Sequence, residues 1–448
     1  MFDLLIIISR YLFIIYIIVF LYNGTAYILD EAGLTRHSHR RSIFTGRTVT
    51  ALMHITAFLI LSYNRETITF SIPHLIIGAA GLAFIIMGNF IAEKVYEDGC
   101  PLIWNCVIFL LDVSIIMLVR LDDALAVRQL IWICVGFFAA FWIPAFIKLM
   151  PKFEKLENIY ILLSFMLIIS TLAMGSTEYG SRNWIYIGNF SFQPSEIVKF
   201  LYIFYLASVF RKKVDLKKFL ITAFLSACLV ILLVFQRDLG SALIFFMTYM
   251  AMLYIATSNE ILLLSGFGAL AAGSVVAYKF FSHVRIRVAA WLNPWDDIDS
   301  GGYQICQSLF AIGTGGLFGS GLTKGMPLSI PVVSKDFIFA AICEEFGAIF
   351  AICLIGVFAL LFTRGMMIAF SCRRRYYGII AAGFTVMMSF QTFLIIGGVI
   401  KLIPLTGVTL PFVSYGGTSI LVSILAISFI QWVNGYEKFA ERNEVGQN

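Results

Sequence analysis

Thirteen runs of apolar sequence leave this chain little choice of solvent. They lie near residues 4–27, 48–63, 74–92, 102–119, 130–149, 158–176, 194–209, 219–235, 239–257, 260–280, 337–363, 378–400 and 412–433, the second and seventh being short. A helix needs roughly 20 apolar residues to cross the hydrocarbon layer of a bilayer. The expected fold is therefore all-α, a polytopic membrane protein. Of 448 residues, 60% are hydrophobic and 13% charged, an apolar surface beyond what a soluble domain of this length can bury. The eight cysteines lie mostly in or beside apolar runs, with no CxxC pair and no histidine at ligand spacing. That pattern reads as packing rather than a disulfide or zinc framework. The chain begins Met1-Phe2-Asp3 without a basic leader, so the first span is expected to be retained.

The net charge of +6 is unevenly placed, and its distribution speaks to orientation rather than to a nucleic-acid partner. Positive residues gather in the connections holding Arg36, Arg40, Arg41 and Arg47, then Lys94, then Lys152 and Lys155. They recur at Arg211, Lys212, Lys213, Lys217 and Lys218, at Arg364 and Arg373 to Arg375, and at Lys438 and Arg442. Assigning all of these to the cytoplasm closes without contradiction. It puts the N-terminus outside, the C-terminus inside and Asp297 outside. Residues 1–99, with three spans and a polar linker, read as an appended module without evident chemistry. Residues 100–435 form a core of ten spans, and 436–448 a cytoplasmic tail. Arg10, inside the first span, is expected to extend its head outward to the interface.

Among these short connections stands one long polar segment, 281–336. It carries Arg285 and Arg287, then Asn293-Pro294-Trp295-Asp296-Asp297, Gly302-Tyr303-Gln304, a glycine run from Gly313 to Gly321, Lys324 and Asp336. Loops of this length without structure of their own are usually functional or disordered, and the aromatic residues and clustered carboxylates argue against disorder. The glycines lack Walker spacing and follow no strand, so a flexible turn is preferred over a phosphate cradle. Asp296, Asp297 and Asp299 can hold a divalent cation through oxygen ligands, although surface acidity explains the flanking pair equally well. No other cofactor is indicated. Ser308 and Ser414 lack a histidine partner in the sequence pattern, which disfavours serine-hydrolase chemistry.

Three further segments carry polar groups at span ends. Gly180 to Ile185, with Arg182, is followed by Gln193-Pro194-Ser195-Glu196 and Lys199. Pro194 suits a first helical position. Glu196 and Lys199 stand one turn apart where a helix enters the membrane, so the pair must find partners or change protonation. Gln236 to Ala242 punctuates two spans, Asp238 serving at least as a helix cap. Leu410 to Ser419 opens the last span with a proline and two glycines.

Taken in order, these segments resemble the SEDS family of bacterial membrane proteins, the RodA, FtsW and SpoVE group, over roughly residues 100–435. The matching elements are 180–184, Gln193 to Glu196 with Lys199, 236–242, Asn293-Pro294-Trp295 with Asp297 and Gly302-Tyr303-Gln304, Asp336 to Ala340 with Glu344-Glu345, and 411–417. The resemblance implies a peptidoglycan glycosyltransferase that polymerises lipid II, embedded among membrane lipids and working with a class B penicillin-binding transpeptidase. It implies that Asp297 is the essential aspartate. Ile298 stands where the family has proline, Asp296 and Asp299 flank the position, and Ile395 replaces a usual asparagine four residues after Gln391. That last change, with Pro404 to Gly407, leans toward the RodA branch.

Polymerisation of that kind needs a base for the acceptor hydroxyl, positive charge for the departing pyrophosphate, and a groove for the polyprenyl tail. Near the membrane surface and close to other carboxylates, Asp297 is expected to have its proton affinity raised. Arg182, Arg285, Arg287 and Lys324 are candidates to hold the pyrophosphate, with Glu196 and Lys199 as further substrate-site residues. For Arg285 and Arg287 a solvated or headgroup-binding edge is the alternative. The resemblance further implies inversion by single displacement. A lipid II flippase would show broken helices at corresponding positions of two halves. A noncatalytic scaffold for the transpeptidase would tolerate loss of Asp297.

Overall fold

The computed structural model describes residues 2–35, 38–64, 68–149, 153–178, 181–188 and 190–445. Arg36, Lys152 and Gly180, named above, lie outside them. Sixteen α-helices follow one another among the described residues: α1 Phe2–Glu31, α2 His39–Ser62, α3 Ile72–Val95, α4 Pro101–Leu121, α5 Asp123–Leu149, α6 Glu157–Met174, α7 Pro194–Phe210, α8 Leu216–Phe235, α9 Leu239–Thr257, α10 Glu260–Phe280, α11 Ser282–Leu292, α12 Tyr303–Gly315, α13 Ile338–Phe346, α14 Ala348–Ser371, α15 Arg375–Val399 and α16 Gly417–Val445. Twelve are long and apolar enough to cross a membrane. The expected seventh span is α7, which at 17 residues reaches only about 25 Å.

Two sequence expectations are revised. The apolar run 337–363 is not one helix. Gly347, at φ +90°, ends α13 and lets α14 begin afresh. A Cβ there would stand 2.3 Å from the backbone nitrogen of Gly319, so only glycine permits this approach. The second revision lies between α6 and α7, where strands β3 (Ser176–Glu178), β4 (Ser181–Ile187) and β5 (Phe190–Phe192) pair antiparallel after the short hairpin β1 (Tyr63–Asn64) and β2 (Thr69–Phe70). Residues 184–192 are rich in the aromatic and β-branched side chains that favour strands.

The chain divides into two compact units that cut across chain order. The first comprises residues 1–137, 304–364 and 409–416, the second 138–303, 365–408 and 417–448.

In the first unit α4 is the centre, every residue of its apolar window being buried. Helix association in lipid rests on close packing and polar contacts rather than on expulsion of water, and α4 uses both. Asn105 donates to the Ile43 carbonyl at 3.1 Å and accepts from Arg47 at 3.1 Å. Asp112 meets the His54 ring nitrogen Nδ1 at 2.5 Å, while Nε2 lies 2.8 Å from the Gly78 carbonyl. Small residues bring α2 and α3 together, since a Cβ at Gly78 would fall 2.6 Å from the Phe58 ring. Arg10 finds a partner far along the chain. Its guanidinium donates to the Gly319 carbonyl at 3.0 Å, and the ring of neighbouring Tyr11 lies 5.5 Å from that of Phe318.

The second unit is organised around α7, packed against α6, α9, α15 and α16, while none of the apolar window of α10 is buried.

Candidate active site

In the second unit the sheet β3–β4–β5 and the turn before α9 build one polar cluster. Asp238 caps α9 by accepting the Ser241 N–H at 3.0 Å, as a helix start requires. Its second oxygen accepts from the Asn183 amide at 3.1 Å and the Gln193 amide at 3.2 Å. Asp238 is thus both a cap and the buried hub that ties β4 and the α7 entry to α9. Gln236 donates inward to the Ile168 carbonyl at 2.8 Å. Arg237 takes φ +61°, and the Ser181 hydroxyl donates to its carbonyl at 3.2 Å.

Just inside α7, the Lys199 ammonium donates to Glu196 at 2.8 Å and to the Gln391 amide oxygen of α15 at 3.0 Å. Both members of the pair are buried, Glu196 at 6% exposure and Lys199 at 2%. A desolvated pair of this kind is stable only when its remaining valences are filled, and Gln391 supplies one.

The arginines fall into two groups. Arg182 is exposed and donates to the carbonyls of Gly175 at 2.9 Å and Ala173 at 3.3 Å, answering the unsatisfied end of α6. Arg285, also exposed, donates to the Lys279 carbonyl at the end of α10. Arg287 lies on the other face of α11 and donates to the Thr406 carbonyl at 3.0 Å, and Trp291 to that of Lys401 at 3.2 Å. His283 stands one turn before Arg287 on α11. Burial, with the positive charge of Arg287 and Arg237, lowers its pKa below the ordinary imidazole value. Sequence reasoning did not single out His283, and took in Arg237 only as part of the segment 236–242. The four-residue spacing of His283 and Arg287 on one helix was the available signal for the first.

Asp297 ends a short 3-10 turn, Pro294–Asp297. The chain then folds back, the Gly302 N–H donating to the Asp297 carbonyl at 2.9 Å. A Cβ at Gly302 would stand 2.0 Å from the Pro294 carbonyl, which explains glycine there. The Asp297 carboxylate accepts from the Ser300 hydroxyl and from the Gly301 N–H at 3.0 Å. The expectation of a raised proton affinity is corrected. Asp297 is exposed, and these hydrogen bonds, Ser300's first and Gly301's second, hold its pKa below the usual carboxylate range. Donors to the charged form favour that form. Asp296 accepts from the Asn293 amide at 2.6 Å. Among the described residues no three acidic, histidine or cysteine side chains gather closely enough to hold a metal ion, so the acidic run does not form a preassembled cation site.

Lys324 belongs to the first unit, exposed in the turn after Gly321. The glycine run beside it is neither a phosphate cradle nor a flexible turn. A Cβ at Gly315 would lie 2.1 Å from the Cys343 carbonyl, and one at Gly319 2.3 Å from that of Glu345. Ser320 and Gly321 donate their N–H groups to the carbonyls of Glu344 and Glu345. Arg120 bridges the same region, to the Glu345 carboxylate at 2.9 Å and the Gly325 carbonyl at 3.0 Å. Glu344 accepts the Met326 N–H at 2.8 Å. Burial pushes the Glu345 carboxyl up to about 7, although Arg120 pulls the other way.

A multi-pass helical membrane protein, with one long polar segment built around an ionised carboxylate, is the class these features define. The family described as "Cell cycle protein", covering FtsW, RodA and SpoVE, matches residues 98–438. The chain belongs to that family. It is 34% identical over 364 residues to peptidoglycan glycosyltransferase RodA of Mycobacterium tuberculosis, covering 75% of this chain and 77% of the relative. It is 37% identical over 322 residues to the probable peptidoglycan glycosyltransferase FtsW of Coxiella burnetii, covering 68% and 84%. With stage V sporulation protein E of Bacillus subtilis the identity is 33% over 340 residues, covering 71% and 90%. Among solved structures, a chain from a study of how a peptidoglycan synthase complex coordinates polymerisation and crosslinking superimposes with TM-score 0.62 at 25% identity, covering 73% and 96%. The rod shape determining protein RodA of Thermus thermophilus gives 0.56 at 24%, covering 74% and 95%.

Proposed function

We propose that this protein is a bacterial peptidoglycan glycosyltransferase that polymerises lipid II into glycan strands at the outer face of the cytoplasmic membrane. Membership, through residues 98–438, of a family whose relatives include peptidoglycan glycosyltransferases supports the activity. The observation that carries the mechanism is the exposed, hydrogen-bonded carboxylate of Asp297. Held ionised at neutral pH, it accepts the proton of the acceptor sugar hydroxyl as that oxygen bonds to the donor's anomeric carbon. The bond from that carbon to the lipid pyrophosphate breaks with inversion, and the electron pair leaves with the phosphate. Docking of the hydroxyl displaces the Ser300 and Gly301 donors, so the carboxylate becomes a stronger base as it is needed.

For the departing charge we favour Arg287, half-buried on α11 and donating to the Thr406 carbonyl, with Arg237 in the turn before α9 as a second candidate. Arg182 and Arg285 each serve a helix end. Glu196 and Lys199 act by fixing the α7 entry. The remaining assignments form one scheme: N-terminus outside, 281–336 outside, C-terminus cytoplasmic, residues 1–99 added to a ten-span core, and a class B penicillin-binding transpeptidase as partner. The similar chain with TM-score 0.62 comes from a peptidoglycan synthase complex in which polymerisation and crosslinking are coordinated, which supports such a partner.

The test is polymerisation of lipid II by the purified protein with its transpeptidase, glycan strands being separated on a gel. Asp297→Ala is expected to lower the rate ~100- to 10,000-fold, the range for a lost general base. Full polymerisation by that variant would remove the assignment. Translocation of lipid II across proteoliposomes without polymer would favour the flippase instead.

A further inference from the structure

In the second unit a cavity of ≈ 270 Å³ opens where the start of α6, the end of α7 and the start of α8 meet. Successive helices alternate in direction, so this is the end of the unit opposite the segment carrying Asp297. The lining is graded by depth. Arg211, Lys212 and Lys218 stand at the helix ends, against the single lining carboxylate of Glu157. About a turn farther along the spans come the hydroxyls of Tyr205 and Thr222. Ile161, one turn into α6, stands level with these hydroxyls, and Leu225 lies deeper in α8. Arg211 is partly committed, bridging to Glu154 at 2.9 Å and donating to the Ser208 carbonyl. The surplus positive charge therefore rests on the two lysines.

We propose that this cavity is a binding site for an anionic glycerophospholipid, its phosphate held between Lys212 and Lys218 and the start of an acyl chain against Ile161 and Leu225. Charge at the rim, hydroxyls and Ile161 a turn below, and Leu225 at depth follow the polarity of such a lipid from headgroup to tail. Basic pockets between spans are a recurring means of holding acidic headgroups. Free phosphate shares the headgroup chemistry but would leave the apolar floor against water. Nothing in this site depends on the polymerisation proposed above.

The test uses the full chain in detergent, with retained phosphatidylglycerol counted by native mass spectrometry against phosphatidylcholine of the same acyl chains. Wild type is expected to retain phosphatidylglycerol selectively. Lys212→Gln with Lys218→Gln should weaken retention on the order of tenfold. Lys213→Gln with Lys217→Gln, the exposed pair outside the cavity lining, should leave it unchanged. Leu225→Trp, which fills the floor without altering charge, should also reduce retention. Equal losses from both lysine pairs would reduce the effect to general surface charge and overturn the site. Displacement of the lipid by millimolar inorganic phosphate, with Leu225→Trp silent, would overturn it in favour of a soluble anion.

Discussion

At the scale of single residues, position was easier to read than environment. The family resemblance points to Asp297 by its place between Asn293 and Gly302, but its hydrogen bonds come from Ser300 and Gly301, which only the fold-back of the turn delivers. Hence the expected direction of its pKa was wrong. The sign has a consequence: a carboxylate with lowered pKa is active above that pKa and is lost as pH falls through it. Ser300→Ala removes the larger cause, so the acid limb of the polymerisation rate should move to higher pH, toward the ordinary carboxylate range. An unmoved limb, measured beside wild type, would detach Ser300 from the base. Glu345 behaves oppositely. Its folded pKa of about 7 exceeds the ordinary 4.5, so the folded protein binds the extra proton between those values and loses stability as pH rises through them. Thermal unfolding of wild type should show that decline from about pH 5 to 7, and Glu345→Gln should not. His283 escaped notice because one of the charges that lower its pKa, Arg237, is remote in sequence.

At the scale of elements, the spans were legible because hydropathy alone decides what can lie in lipid. Their interruptions were not. The break at Gly347 lies inside an unbroken apolar run, and its cause is the backbone of Gly319, which no local pattern discloses. The sheet β3–β4–β5 was not expected, because its strands of three, seven and three residues are too short to stand out between two apolar spans. Arg10 shows the same dependence on distant partners. Since its guanidinium caps the Gly319 carbonyl, Arg10→Ala should loosen the turn 316–325. Amide hydrogen exchange at Ser320 and Gly321 should rise about 5- to 30-fold, as expected for a loss of 1–2 kcal/mol. Unchanged exchange there would mean that packing by Tyr11 and Phe318 suffices.

At the scale of the whole molecule, chain order suggested a module followed by a core, while the compact units gather residues 1–137 with 304–364. The sequence could not show this, because α4 reads as any apolar span until its neighbours are known. With α4 buried throughout its apolar window and Asp112 Oδ1 paired with His54, removal of residues 1–97 would leave a polar side chain facing hydrocarbon, a cost of several kcal/mol. The shortened chain 98–448 should fail to elute as a monodisperse peak in detergent. A stable, polymerising fragment would show the first three spans to be dispensable.

The close approach of Gly315 and Gly319 to the backbone of α13, and of Gly347 to the backbone of residues 317–319, reaches beyond this one protein. Even a methyl group at any of the three would force main chain apart. Under random mutagenesis with selection for growth, these codons should therefore stay frozen while the apolar positions around them drift. In remote cousins whose chemistry-bearing letters have changed, that trio would be a lasting landmark for aligning one genome's copy with another's.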